Sequence, residues 1–512
     1  MSDNPGGPSK ASESPLERLS TGITGLDRLL QGGLLKGDSY IIMGAPGTGK
    51  TTLGNQVAFN HIADGGSAVY LSLMTETHNR MIFHLRQFPF FDSTALGNRM
   101  YYISGFSSLE KEGLEGLLNL VRNVIRERKI SLLVLDGLST IEEFSPSGID
   151  FRRFIQGIDS YSEVHGCTIL MLTHRNDSTV FHPEYTMVDG IIELSDEIAG
   201  IRNERKLQVI KFRGSAFLQG KHNLDITSEG IKVLPRVEAL LADITVPSHS
   251  EEQYRFGIEK LDEMLHGGLY ADTTTMLFGP TGSGKTLLGL NFLADGLAQG
   301  QRSLYFGFYE SPARLVTKAE KIGLPFSNYL DSGLLEIIWQ APLENDLDFL
   351  AAKLFQAVER HKPQRLFIDA FGGFLQGAIH KERLSLYWSA LTYGLRALNV
   401  TTVFALEMPF ILGGMVEIPV EGVSAITENI ILVRLAEANA TLQHLVSILK
   451  LRDNEFDRTI NELFISDAGI EVKSLLGANT ATTFSEISGG ASVSRVSSES
   501  ESNQSRQSDS DS

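Results

Sequence analysis

Two glycine-rich loops of one pattern, one in each half of the chain, constrain this sequence more than any other feature of it. The first reads GAPGTGKT and carries Gly44, Gly47, Thr48, Gly49, Lys50 and Thr51, followed by Thr52. The second reads GPTGSGKT and carries Gly279, Gly282, Ser283, Gly284, Lys285 and Thr286, followed by Leu287. Glycines at these places permit positive φ, so consecutive backbone N–H groups can turn inward and cradle phosphate oxygens. The helix expected after each loop adds the positive end of its dipole. Lys50 and Lys285 are spaced to reach β- and γ-phosphates, and Thr51 and Thr286 to ligate Mg²⁺. The surroundings repeat at the same offset as the lysines: Gly22, Leu26, Asp27, Gly32, Gly33 and Leu34 recur as Gly257, Leu261, Asp262, Gly267, Gly268 and Leu269. A single glycine-rich turn can be coincidence, whereas two in register mean a duplicated nucleotide-binding domain. The ligand class is ATP or GTP.

A chain of 512 residues exceeds what one core supports. The offset divides it into a disordered arm (1–16), a first domain (17–235), a linker (236–253), a second domain (254–475) and a serine-rich tail (476–512). Neither terminus carries enough apolar residues to order itself. The net charge of −17 disfavours nonspecific nucleic-acid binding, while leaving room for a local basic groove. The lone cysteine, Cys167, lies in the apolar run CTILML and reads as a buried structural thiol. No signal-peptide core appears at the N-terminus, and no run approaches the roughly 20 apolar residues of a membrane span, so a cytoplasmic location is expected.

Within each half, apolar runs alternate with amphipathic ones. SYIIM, AVYLSL, SLLVLD and CTILMLT read as buried strands in the first half, and TTMLF, SLYFGF, RLFID and TTVFAL in the second. TTLGNQVAFNHIADG and LEGLLNLVRNVIRER read as helices between them. Strands buried on both faces and joined through helices predict a parallel α/β sheet with right-handed crossovers. Ligands of such sheets bind at the carboxyl ends of the strands. Asp136 ends LLVLD and Asp369 ends RLFID, each the first acid after an apolar run and each suited to Mg²⁺. Glu76 follows AVYLSLMT and Glu310 follows SLYFGFY, at nearly the same offset as the loops. RecA-like folds carry at that point the carboxylate that orients the attacking water.

Late in each half stands a Lys-X-Arg pair: Lys211 and Arg213 in KLQVIKFRGS, Lys450 and Arg452 in HLVSILKLRD. Period-2 alternation points both side chains of a pair to one face. Two cations projecting together suit a γ-phosphate, including one bound to a neighbouring subunit, as an arginine finger does. The plainer alternative is a basic edge that blunts strand pairing.

Taken together these residues resemble the KaiC family of circadian clock ATPases and autokinases, within the RecA/RadA/DnaB superfamily. The resemblance spans about Leu19 to Val472 and rests on STGITGLDRLLQGGL, RFGIEKLDEMLHGGL, both phosphate loops, KFRGS, KLRD and FISDAGIEV. It implies two tandem RecA-like P-loop domains, each a mainly parallel sheet flanked by helices, and a two-tiered homo-hexamer with ATP and Mg²⁺ at subunit interfaces. It also implies KaiB-like or signalling partners, catalytic roles for Glu76 and Glu310, and Lys211, Arg213, Lys450 and Arg452 reaching a neighbour's nucleotide. The chain departs from the family at two places. KaiC has paired glutamates at the catalytic position, whereas Thr75-Glu76 and Tyr309-Glu310 retain one acid each. KaiC has adjacent Ser and Thr phospho-acceptors and a Thr upstream; here Ser424 is followed by Ala425, and the upstream position falls near Pro419. The ordered two-site phosphorylation cycle cannot run in that form, and Ser424 reads as a loop serine first and a residual acceptor second. Two other functions share the motifs: a DNA-acting motor of RecA or DnaB type, and a non-hydrolysing scaffold cemented by nucleotide.

Overall fold

The computed structural model describes residues 16–73, 78–174, 183–245, 250–341, 343, 346–408, 422–438, 441–452, 454–466 and 469–475. The N-terminal arm up to residue 15, the tail from residue 476, Glu76 and Pro419 lie outside these. Each predicted apolar run forms a strand. In the first half these are Ser39–Gly44, Ala68–Ser72, Leu132–Asp136 and Thr168–His174, and in the second Thr274–Gly279, Ser303–Gly307, Arg365–Asp369 and Thr401–Glu407. Alternate residues feed opposite faces. Tyr40, Ile42, Tyr70, Val134 and Leu172 enter one core, with the helix Lys50–Ala63; Ile41, Met43, Leu71, Leu135 and Met171 enter the other, with Phe106–Arg128 and Gly148–His165. That two-faced burial is why the runs are apolar without alternation. Cys167 sits in the second of these cores, where burial pushes its thiol up to about 12.

Among the described residues each half holds a nine-stranded sheet of the same order. In the first, Ser39–Gly44 lies between parallel neighbours Thr168–His174 and Gly190–Ala199, and parallel pairing continues through Leu132–Asp136, Ala68–Ser72 and Met100–Ser104. The other side is the antiparallel part of this mainly parallel sheet. Gly190–Ala199 turns back antiparallel into Arg202–Phe212, and Lys221–Thr227 and Gly230–Leu234 extend the ladder antiparallel. The reason is local. Ala199 pairs with Arg202 across Gly200 and Ile201, with Gly200 at φ +64, and so short a connection can only reverse the chain. The second sheet repeats this with Asn429–Ala438, Thr441–Leu451, Asn461–Ser466 and Gly469–Ser474.

The repeated GLD…GGL openings are structural. Gly33 and Gly268 have φ +107 and +134, and a Cβ would lie 2.4 Å from the Leu19 carbonyl oxygen or 2.5 Å from that of Tyr254. Asp27 accepts from the Thr21 N–H at 2.9 Å, and Asp262 from the Phe256 N–H at 2.7 Å. By compactness the chain forms two units: Met1–Val246 with Pro342–Arg360 and Phe374–Ala397, and Pro247–Ala341 with His361–Gly373 and Leu398–Ser512. Within the first unit, buried Asp348 accepts from Arg383 (2.9 Å), Asn223 (3.0 Å) and the Val237 N–H (3.2 Å), while Arg383 also pairs with Glu238 at 2.8 Å. Desolvating a carboxylate is costly unless it is paired, and this cluster supplies the partners. The span expected to be linker holds a short helix, Val237–Leu240.

Burial pushes the Asp262 carboxyl from 3.8 up to about 6, against the opposing Phe256 N–H bond. The ionised form is thus the penalised one: the stability this group contributes is complete below about pH 4 and is lost as pH rises through about 6. Asp262→Asn keeps an acceptor without the charge. It is expected to raise the melting temperature at pH 8, by on the order of 1–3 kcal/mol of stability, and to leave it unchanged at pH 4. Equal melting at pH 8 refutes this account.

Candidate functional site

Both phosphate loops sit at the carboxyl end of the central strand of their sheet. Gly47 and Gly49 have φ +84 and +102, Gly282 and Gly284 +80 and +97, so each loop uses the left-handed region twice before its helix begins. Gly44 and Gly279 are held for a different reason. A Cβ would lie 2.4 Å from the Leu194 carbonyl oxygen or 2.2 Å from that of Val433, on the adjacent strand. The lysines fold beneath their loops. Lys50 Nζ donates to the carbonyls of Gly44 (2.7 Å) and Ala45 (2.9 Å), and Lys285 Nζ to those of Gly279 (2.9 Å) and Pro280 (2.7 Å). Burial pushes both ammonium groups down in pKa; Asp136 opposes this for Lys50, and Glu407 and then Asp369 for Lys285. Thr51 is exposed, and Thr52, Thr286 and Leu287 are half-buried in the first turn of their helices. Thr48 Oγ1 closes its loop on the Ala45 carbonyl at 2.8 Å, whereas the corresponding Ser283 Oγ is buried and has no partner among the described residues.

The strand-ending aspartates lie beside these loops. Thr51 Oγ1 is 3.4 Å from Asp136 Oδ2, which also accepts from the Tyr70 hydroxyl. Asp369 accepts from Tyr305 Oη at 3.0 Å, and also from Thr286. Burial pushes both carboxyls up, and these hydroxyl donors oppose it. The two tyrosines were not among the residues singled out from sequence, although the offset that links the two loop lysines links them as well. A buried hydroxyl committed to a carboxylate oxygen fixes that carboxylate's orientation.

Glu310 pairs through one oxygen with Lys318, on the helix Pro312–Lys321, and its other oxygen is buried with no partner among the described residues. The two residues line an open cleft of about 530 Å³ with Arg314, Thr317 and Lys321. Glu76 lies outside the described residues. A larger cleft, about 860 Å³, lies at the second GLD…GGL opening and shares no residue with the loop.

Each Lys-X-Arg pair, whose arginine lies just past its strand end, reaches one neighbouring segment. Lys211 Nζ donates to the carbonyls of Tyr185 (3.1 Å), Thr186 (3.0 Å) and Val188 (2.6 Å), and Arg213 to that of Thr186 at 2.6 Å. Lys450 Nζ donates to the carbonyls of Ser424 (2.9 Å) and Thr427 (2.7 Å), and Arg452 to that of Ala425 at 3.3 Å. Within the chain, each pair therefore caps the carbonyls of one short segment.

A family model described as "ATPase: KaiC" matches this chain twice, at residues 19–238 and 254–476. The chain belongs to the KaiC ATPase family. It is 27% identical over 471 residues to the circadian clock oscillator protein KaiC of Parathermosynechococcus lividus, covering 90% of this chain and 86% of that protein. It is 25% identical to the KaiC of Synechococcus elongatus, covering 90% and 89%, and 25% identical to that of Acaryochloris marina, covering 89% and 88%. The two mixed, mostly parallel sheets are the tandem RecA-like domains of this family.

Ser424, on the short helix Val423–Ile426, is exposed, and Ala425 beside it offers no hydroxyl. The next hydroxyl, Thr427 Oγ1, is buried and donates to the Val423 carbonyl at 2.7 Å. The backbone of this helix, where KaiC-type acceptors were expected, is what Lys450 and Arg452 hold. Lys450→Met leaves the Ser424 and Thr427 carbonyls without that cation and is expected to cost about 1–2 kcal/mol. Lys450→Arg should recover part of the loss in thermal melting, and an unchanged melting temperature in Lys450→Met contradicts the capping role.

Proposed function

We propose that this KaiC-family chain binds ATP with Mg²⁺ at both loops, hydrolyses it slowly, and does so at the subunit interfaces of a homo-hexamer that signals through KaiB-like or other partner proteins. The observation that carries the reading is the pair of matching loops, each with a buried lysine beneath it and a strand-ending aspartate beside the first threonine of its helix. The residues fit a nucleotide. Ser283 Oγ and one oxygen of Glu310 are buried polar atoms without partners among the described residues, as expected of groups that complete their bonding with ligand or water.

Lys50 and Lys285 leave the loop carbonyls to meet phosphate oxygens, and the loop N–H groups hold the same phosphates through fixed dipoles. Thr51 with Asp136, and Thr286 with Asp369, offer Mg²⁺ one hydroxyl and one carboxylate per site. The metal ion, when bound, neutralises charge developing on the β- and γ-phosphates. Glu76 and Glu310 orient the attacking water and accept its proton. Lys211, Arg213, Lys450 and Arg452 reach the nucleotide of the neighbouring subunit, for which they must exchange carbonyl partners for phosphate. Ala425 denies the second half a two-acceptor cycle, which leaves Ser424 as the remaining hydroxyl for any residual Ser/Thr autokinase activity.

The hold of Lys318 on Glu310 favours a second reading for the second half alone, in which nucleotide cements the ring with little turnover. One set of measurements separates the two. Glu76→Gln with Glu310→Gln should abolish phosphate release while leaving ATP bound, and Glu310→Gln alone should change turnover little if the second half is a scaffold. Full turnover by the double variant removes both glutamates from the mechanism. Light scattering in ATP should give a hexamer; monomers alone would sink the interface role of the Lys-X-Arg pairs.

A further inference from the structure

Comparing the two halves by strand register exposes a pair of residues that sequence offset hides. Gly44 is paired with His174, and Gly279 with Glu407, so these two residues occupy the same place at the end of the strand flanking the loop. Their spacing departs from that of the loop lysines and they differ in chemistry, so neither the common offset nor a search for like residues links them. Both are close to the lysine seat. The Met408 N–H donates to the Gly279 carbonyl at 2.9 Å, the same oxygen that accepts from Lys285 Nζ. In the first half Lys50 Nζ occupies the Gly44 carbonyl directly opposite His174. His174 Nδ1 is buried and has no hydrogen-bond partner among the described residues, while the Glu407 side chain is exposed.

We propose that His174 and Glu407 set the triphosphate-over-diphosphate preference of the two sites in opposite directions, His174 raising it in the first half and Glu407 lowering it in the second. This rests on the nucleotide-site reading above. An imidazole can donate to a terminal phosphate oxygen, and its orphaned nitrogen has a bonding requirement still to meet. A carboxylate only accepts. Beside the lysine it competes with the terminal phosphate for the same ammonium and repels its charge. Electrostatics agree with the placement: burial pushes Lys285 down in pKa, and Glu407, ahead of Asp369, is the charge that pulls it back. His174 likewise acts on Asp136, whose carboxyl burial raises and His174, after Tyr70, Lys50 and Thr51, helps to lower.

The test uses the full chain and reads binding rather than turnover. Calorimetric titration with a non-hydrolysable ATP analogue and with ADP, each with Mg²⁺, gives an affinity ratio per site, the other site being silenced by Lys285→Ala or Lys50→Ala. His174→Ala is expected to lower the ATP-analogue to ADP ratio of the first site about 5-fold or more, with partial recovery in His174→Gln, which keeps a donor. Glu407→Gln is expected to raise the ratio of the second site by a similar factor. Should either ratio stay within about twofold of its parent, or move the other way, the inference is overturned while the nucleotide-site reading stands. If the unaltered chain binds neither nucleotide, that reading falls and this inference with it.

Discussion

Each half hangs from one strand that is paired on both edges and buried on both faces, and whose carboxyl end must open into unpaired backbone N–H groups. Ser39–Gly44 and Thr274–Gly279 are held in parallel register by two neighbours each, so their ends cannot shift. Gly44 and Gly279 let the strand end lie against a carbonyl of the adjacent strand, where no Cβ fits. From that immobile point the loop rises through its positive-φ glycines, the lysine returns beneath it, and the helix starts with its dipole towards the loop. The aspartate and tyrosine beside it arrive on strands placed by the same ladder.

The two halves keep that skeleton and diverge at its rim. Lysine, threonine, aspartate and tyrosine match between them, down to the loop carbonyls each lysine uses. The residue at the end of the flanking strand does not: His174 stands where the second half has Glu407. The skeleton is constrained by close packing, where an added carbon collides with backbone, so change there is costly. Rim side chains are half-exposed and tolerate exchange of charge. Duplication therefore supplied two similar cradles with different electrostatic mouths.

The strands and loops were legible because their signals are local: apolar runs of strand length and glycines at fixed spacing. The Lys-X-Arg pairs are legible in sequence as pairs, but the carbonyls of 185–188 and 424–427 that they cap are not, because those belong to segments well upstream in the chain. The mainly parallel sheet was legible in the strand–helix alternation, and its antiparallel end begins at a turn that Gly200 marks. Tyr70 and Tyr305 lie inside apolar strand runs, and a hydroxyl's partner across a ladder is invisible in one strand's sequence.

The sequence by itself determined that there are two phosphate-binding loops, a strand–helix alternation in each half and a set of acids and cations at strand ends, because each is written within a few consecutive residues. Only the tertiary structure decided which of these share a site. Register brings His174 to Gly44 and Glu407 to Gly279, seats Tyr70 on Asp136, and ties Glu310 to Lys318. Hydrogen-bond ladders couple residues at separations that no local pattern encodes, and the charge each cradle presents depends on those couplings.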